Sequence, residues 1–332
     1  MSLLRPSVLL TVDGRTVSSA QAGLVRLVVS LAVNRGHDRA EIALWPSSRL
    51  AGTAVGTPLA IAMGVPGQEV AVWSGEVVAV AAAADAVMLE GLAPTAALSL
   101  RRVAQTYLDQ PVAEIVRDLA GAPGLALDEV SGDLQLAAYS VDGRRPAWSH
   151  LLDLARLTGG EVGASARGGL RFVPVRTGSA DLELRHGAEI LSWSAGPARR
   201  LDPPAIAAYG AASEAGPEQW HWLLRQPVPA STDASGSGAS FFVPAALRTR
   251  MAAQAMSLGL AAAAGRAAFG GALRIAGRPE VRPGNLLRLS GLPPPAGGAP
   301  VTVRALEVEH SLDARQGFLS RLAVEGAGEE AA

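Results

Sequence analysis

Cysteine is absent from this chain of 332 residues. Disulfide frameworks, thiol catalysis and cysteine-ligated metals are thereby excluded. Lysine is absent too: all 29 basic residues are arginine. With the excess of alanine and glycine, this reads as the codon bias of a GC-rich genome. The arginines cluster nowhere strongly enough to line a groove. An excess of one charge is also missing. The formal net charge is −1, whereas proteins that grip phosphate backbones usually carry a basic surplus. No apolar run reads as a membrane span, because Gly259, Gly265 and Arg266 break the alanine-rich stretch 252–268. The opening "MSLLRPSVLLTVDGRTVSS" has too short an apolar part for a secretory signal and reads as a strand and turn. The expectation is a soluble chain with no export signal of its own. Its hydrophobic content of 49% and charged content of 18% suit a folded chain with a sizeable core.

Familiar catalytic motifs are missing as well. There is no GxSxG elbow, no GxxxxGK[ST] phosphate loop and no strand–GxGxxG–helix unit. The histidines number five, and no two have metal-ligand spacing. His37 lies in the turn-like "NRGHD", and His150 is read as a solvated helix residue beside Asp153. His186 follows Arg185 in a turn, and His221 sits between Trp220 and Trp222. Those two tryptophans share one side of a strand, either as a sugar- or partner-binding platform or, the favoured reading, as buried apolar area. Carboxylate pairs for glycoside hydrolysis are assembled in space and leave no local motif.

The densest polar cluster is "LEVEHSLDARQGF", residues 306–318. Side chains alternate along a strand. Leu306, Val308 and His310 therefore share one face, and Glu307 and Glu309 share the other. His310 cannot join either glutamate around one metal while the strand stays regular. The stretch reads as a hairpin with a wet tip at 313–317, and Phe318, Leu322 and Val324 return an apolar stripe.

What is present is mostly β pattern. Residues 1–98 carry short β-branched runs separated by turn signals, which suggests a sandwich or barrel. Residues 99–177 change character. "QPVAEIVRDLAGAPG" places Val112, Ile115, Val116 and Leu119 at helical spacing, and "RPAWSHLLDLARLTGG" does the same for Trp148, Leu151, Leu152 and Ala155. A hairpin turning at Gly168-Gly169 follows. Strands resume over 178–330, with a Ser/Gly/Pro-rich loop and a helix, Pro244 to Phe269, inserted at about 226–269. Both the helix and the loop are expected to take part in assembly.

Two segments match in element order: "PLAIAMGVPGQEVAVWSGEVVAVAAAADAVMLEGL" and "GNLLRLSGLPPPAGGAPVTVRALEVEHSLDARQGFLSRLAVEG". Each runs strand, Gly/Pro turn, long strand, polar turn, strand. The fold class expected is mainly β with α+β: two homologous β-barrel domains, 1–98 and 178–330, separated by a small α+β module, 99–177.

Between the inserted helix and the last hairpin lies "GRPEVRPGNLLRLSG". It resembles a pattern in the hub proteins of contractile tails, the phage late control protein D and VgrG family. There a helix is followed by G-x-P-x-(L/V)-x-P-G and then a strand pair whose first strand ends in His. Gly277, Pro279, Val281, Pro283, Gly284 and His310 stand at those positions. The two helices of 99–177 and "EILSWSAGPARRLDPPAIAAYG" are similar to further family segments, in the same order, over most of residues 60–326. The resemblance implies a non-enzymatic hub without cofactor or metal, assembling as a homotrimer that joins a hexameric tail tube to a three-fold spike. It implies tube, spike and other baseplate proteins as partners, with no specific nucleic-acid binding. Because the chain ends soon after the second barrel, the spike is expected to be a separate polypeptide. Synthesis in the bacterial cytoplasm and assembly into a phage tail, virion or injection particle are implied too. The alternatives are a tail-associated cell-wall hydrolase and a carbohydrate-binding tail-tip protein.

Overall fold

A computed structural model describes residues 5–121, 124–197, 249–293 and 300–328, together with the backbone of three short strands between 207 and 242. The first β unit comprises β1 (Ser7–Val12), β2 (Arg15–Ser18), the single-turn α1 (Ser19–Ala22), β3 (Leu24–Ala32), β4 (Arg39–Leu44), β5 (Pro58–Gly64), β6 (Val70–Ala82) and β7 (Val87–Leu92). The turn α2 (Ala97–Leu100) leads into the middle module. That module holds β8 (Gln105–Pro111), α3 (Val112–Leu119), β9 (Leu127–Val130), β10 (Gln135–Val141), α4 (Ala147–Thr158), β11 (Gly160–Ala164) and β12 (Leu170–Pro174). The second β unit has β13 (Leu182–Arg185) and β14 (Ile190–Pro197), then the short β15 (Ala207–Tyr209), β16 (Val228–Pro229) and β17 (Ser240–Phe242). It ends with α5 (Arg250–Arg266), β18 (Phe269–Ala276), β19 (Leu286–Ser290), β20 (Val301–Asp313) and β21 (Gly317–Gly326).

The two β units are built to one plan. In the first, the strand order is β1-β5-β6-β7-β4-β3, and in the second it is β13-β19-β20-β21-β18-β14. Taken along the chain, these six strands of one unit fall on their counterparts in the other; β2, beside β1, and the short β15, β16 and β17 have none. The central strand is 13 residues long in both. The irregularities agree as well. A bulge interrupts β6–β7 between Val77 and Ala79, and another interrupts β20–β21 between Ala305 and Glu307. The β3–β4 ladder shifts between Leu24 and Arg26, and β14–β18 shifts between Ile190 and Ser192. Bulges are placed features of a sheet, so their coincidence strengthens the repeat. One pairing differs: β1 meets β5 antiparallel, whereas β13 meets β19 parallel.

Among the described residues neither unit closes on itself as a barrel. Instead, the far half of β20 pairs with β3, Glu307 opposite Ala32 through Asp313 opposite Arg26. Both units thereby join one 13-stranded sheet. A single apolar core runs through them, from Val8 and Trp73 to Leu289 and Val324. The middle module has its own core around Ile115, Leu151 and Phe172.

Several local expectations are corrected. The inserted helix spans Arg250–Arg266, and Phe269 already begins a strand. Its Ala252 and Met256 pack into the module's core, so the helix serves the module as much as the second β unit. On α4 the buried apolar set is Ala147, Trp148, Leu151, Leu154, Ala155 and Leu157, while Leu152 is only half-buried. His150 is buried, not solvated, because Tyr139 covers it with its hydroxyl 3.3 Å from Nδ1. In β20 the bulge makes Leu306 the extra residue, so Ala305 takes its place in the core beside Val308 and His310. Trp220, Trp222, His221 and most of the 226–243 loop lie outside the described residues.

Candidate functional site

The loop 277–285 follows β18 and is shaped by the absence of side chains at two points. A Cβ on Gly277 would lie 2.2 Å from the Phe318 ring, and the Gly277 N–H donates to the Phe318 carbonyl at 3.0 Å. Gly284 has φ +90°, a conformation that disfavours L side chains, and a Cβ there would meet a Glu161 carboxylate oxygen at 2.7 Å. Between them, Val281 is buried and its N–H closes a turn onto the Arg278 carbonyl at 3.1 Å. The Asn285 side-chain oxygen accepts from the Arg282 N–H at 2.7 Å. Asn285 then pairs with β20 through its carbonyl and the Ala305 N–H, 2.9 Å apart.

His310 ties this loop to the sheet. It is wholly buried. Nε2 lies 3.1 Å from the Val281 carbonyl, Nδ1 lies 2.8 Å from Ser320 Oγ, and that oxygen accepts from the Arg278 N–H at 3.1 Å. A carbonyl can only accept, so the proton sits on Nε2 and Ser320 donates to Nδ1. Every polar atom is satisfied with the ring neutral. The structure thus brings together Gly277, Val281, Gly284 and His310, while Pro279 and Pro283 frame the turn at Val281. The two glutamates face away, as alternation requires: Glu309 pairs with Arg321 at 3.1 Å, and Glu307 pairs with Arg35.

Burial lowers the His310 pKa from 6.5 to about 4. The unfolded chain therefore binds this proton more readily, and stability is lost as pH falls from 6.5 towards 4. Comparing the native chain with His310→Gln isolates this effect from other titrating groups. The stability deficit of the variant should be largest near pH 7 and shrink by about 3 kcal/mol by pH 4. Denaturant unfolding of both proteins at the two pH values checks it; a deficit independent of pH contradicts the neutral, buried ring.

The same loop meets the other parts of the chain. Arg282 Nη1 donates to the Val72 carbonyl of β6 at 2.7 Å. Near it lies Asp38, buried, with its carboxylate accepting from the Ala32 N–H at 3.0 Å. Burial pushes that carboxyl up to about 7, and the Ala32 bond and the Arg282 charge counter it only in part. Arg304, buried in β20, is flanked by two carboxylates. One is Glu161 of β11, with which it pairs directly, and the other is Glu325 of β21 at 2.6 Å. Glu325 also takes Arg266 of α5 at 3.0 Å. One ionic chain thus runs from the middle module through the second sheet to the inserted helix.

The segment after β3 completes the junction. Asn34, at φ +57°, exchanges backbone and side-chain bonds with β11: its N–H donates to the Val162 carbonyl at 2.8 Å, and its side-chain oxygen accepts from the Val162 N–H at 2.8 Å. Trp148 Nε1 donates to the Arg35 carbonyl at 2.9 Å, and His37 lies against the Trp148 ring. His37 also bonds Ser99 at 2.6 Å. "NRGHD" is therefore a three-way joint rather than a simple turn. Sequence reasoning missed Asn34, Asp38, Glu161 and Arg304. The available signal was a charge inside an apolar β run, as in "VTVRAL" and "GEVGA". Among the described residues no group of three or more His, Asp or Glu could hold a metal ion, and no helix is long and apolar enough to cross a membrane. The arrangement locks units together: the His310 ring nitrogens are taken by a hydroxyl and a carbonyl, and Glu161 and Glu325 by Arg304.

No protein-family model matches the sequence. No curated protein matches it either. Solved structures do. The 43 kDa tail protein of prophage MuSo2 from Shewanella oneidensis superposes with a TM-score of 0.69 at 13% identity, covering 97% of this chain and 98% of that one. A tail protein from Neisseria meningitidis gives 0.70 at 13% identity, covering 97% and 96%. An E. coli component of the type VI secretion system, described as similar to the bacteriophage T4 tail proteins gp27 and gp5, gives 0.61 at 10% identity, covering 93% and 76%. The resemblance to the tail-hub family read from the sequence thus has its counterpart in three dimensions: this chain has the fold of phage tail and type VI secretion proteins.

Proposed function

We propose that the chain is the structural hub of a phage-tail-like baseplate, and that three copies form a ring joining a hexameric tail tube to a three-fold spike. The observation that carries this is the doubling of one β plan within a single chain. A ring of three such chains presents six similar β units, so one face can match a six-fold tube while the ring as a whole keeps three-fold symmetry. The fold shared with tail proteins supports the reading. In this view 1–98 and 178–330 are homologous barrel-type units and 99–177 is the spacer between them. Gly277, Pro279, Val281, Pro283, Gly284 and His310 hold the second unit's loop in register. Other baseplate proteins surround the ring, and the protein is made in the cytoplasm before joining its particle. The role is mechanical rather than enzymatic.

Mass in solution tests it. The purified chain is expected at three times 33.9 kDa, alone or with its tube partner. Particle images should show a three-fold ring of this chain at the tube–spike junction. Particles in which that position holds another protein would overturn the reading.

A further inference from the structure

The intrachain junction offers a template for contacts between chains. Within the chain, the far half of β20 pairs antiparallel with β3. By the repeat, β6 is the counterpart of β20 and β14 is the counterpart of β3. Yet among the described residues no strand pairs with the corresponding edges of β6 and β14. β5 stops opposite Glu76, so beyond the bulge Ala79–Ala82 pair only with β7. β14 ends the sheet, bonded on one side to β18 and on the other to no described strand.

The open segment of β6 has an unusual surface for a free edge. "VVAVAAAA", 77–84, has no charge and no proline, the devices that normally protect a free edge. Val80 is 38% exposed, and Ala79, Ala81 and Ala82 are exposed with it. The Ala83 N–H bonds the Ala86 carbonyl across the hairpin. By alternation, Ala82 and Val80 then aim their backbone groups away from β7. On β14, Leu191 is 52% exposed.

We infer that the far half of β6 adds antiparallel to the outer edge of β14 in a second copy of this chain, repeating between chains the pairing that β20 and β3 make within one. The bulges set the register. Glu307 corresponds to Ala79, and Arg26 corresponds to Ser192. The internal pair Glu309–Ser30 then maps onto Ala81 and Gly196, and His310–Val29 onto Ala82 and Ala195. Pro197, with no N–H to donate, marks one end of the contact. The contact is head-to-tail, so successive copies generate a ring if the rotation closes. The pairing itself follows from the repeat; only the number of copies rests on the hub reading.

The lack of cysteine makes the test direct. Ala81→Cys and Gly196→Cys are combined in one full-length chain, and mild oxidation is followed by a non-reducing denaturing gel and mass spectrometry. The expected result is a covalent ladder ending at a closed species, with residue 81 joined to residue 196 of another copy. A companion chain carrying Ser30→Cys and Glu309→Cys should cross-link internally at monomer mass, which validates the template. Val80→Arg, at an exposed site, should lower the assembled fraction at least tenfold while leaving the melting temperature of the monomer unchanged. Association without the 81–196 link, or links joining only like positions, overturns this pairing and leaves the hub reading standing. A chain that stays monomeric with its tube partner and forms no link overturns both.

Discussion

Arg304→Met should lower the unfolding free energy by about 3–5 kcal/mol, the cost of leaving a buried carboxylate without its cation. Arg304 and Glu161 are each 2% exposed, and Glu325 is 15% exposed. Removing the guanidinium takes a partner from both acids. Arg266 still reaches Glu325, so Glu161 is the group left uncompensated. A double variant separates this from a loss of packing. Adding Glu161→Leu to Arg304→Met removes the stranded charge, and an apolar pair in place of a buried ion pair is often neutral. Most of the lost stability should return. The coupling is read from denaturant midpoints of the native chain, both single variants and the double one. Additive single effects would mean the pair is not a unit.

Gly75→Ala should cost about 3 kcal/mol through overpacking. A Cβ at this position would sit 2.1 Å from the Leu92 carbonyl oxygen and 2.6 Å from the Trp73 ring. The first obstacle is backbone in the neighbouring β7, which cannot rotate away as a side-chain end could. The second is a ring that is 1% exposed and wedged into the shared core. Gly91 lies under the same indole, with a Cβ there reaching 2.6 Å from it. Gly36→Ala is the control, since nothing lies within 4 Å of its would-be Cβ. It should change stability by no more than about 0.5 kcal/mol. Thermal unfolding of the two variants side by side decides the matter. Equal effects would show that β6 can shift away from Trp73 at little cost.

Much of the local structure was legible because it follows from short-range rules. Runs such as "SVLLTV" and "RAEIAL" became β1 and β4, and helical spacing placed α3 and α4 within a residue or two. The hairpin at 313–317 and the repeat of long central strands were visible from turn residues and lengths alone. Alternation correctly removed Glu307 and Glu309 from the side of His310. It failed at Leu306, because a bulge changes the phase of a strand and has no reliable mark in sequence. The solvated reading of His150 failed for a related reason: helical spacing tells which residues share a face, not what a second element lays over it.

The sequence by itself determined the mainly β character, the doubling, the middle α+β module and the absence of thiol chemistry, since each depends on composition or on neighbours a few residues apart. Only the tertiary structure decided that β20 reaches β3, so that both β units share one core. It alone joined Arg304 to Glu161, separated by 143 positions, and Asn34 to Val162, separated by 128. Such contacts depend on where the whole chain returns, and no local pattern encodes that return.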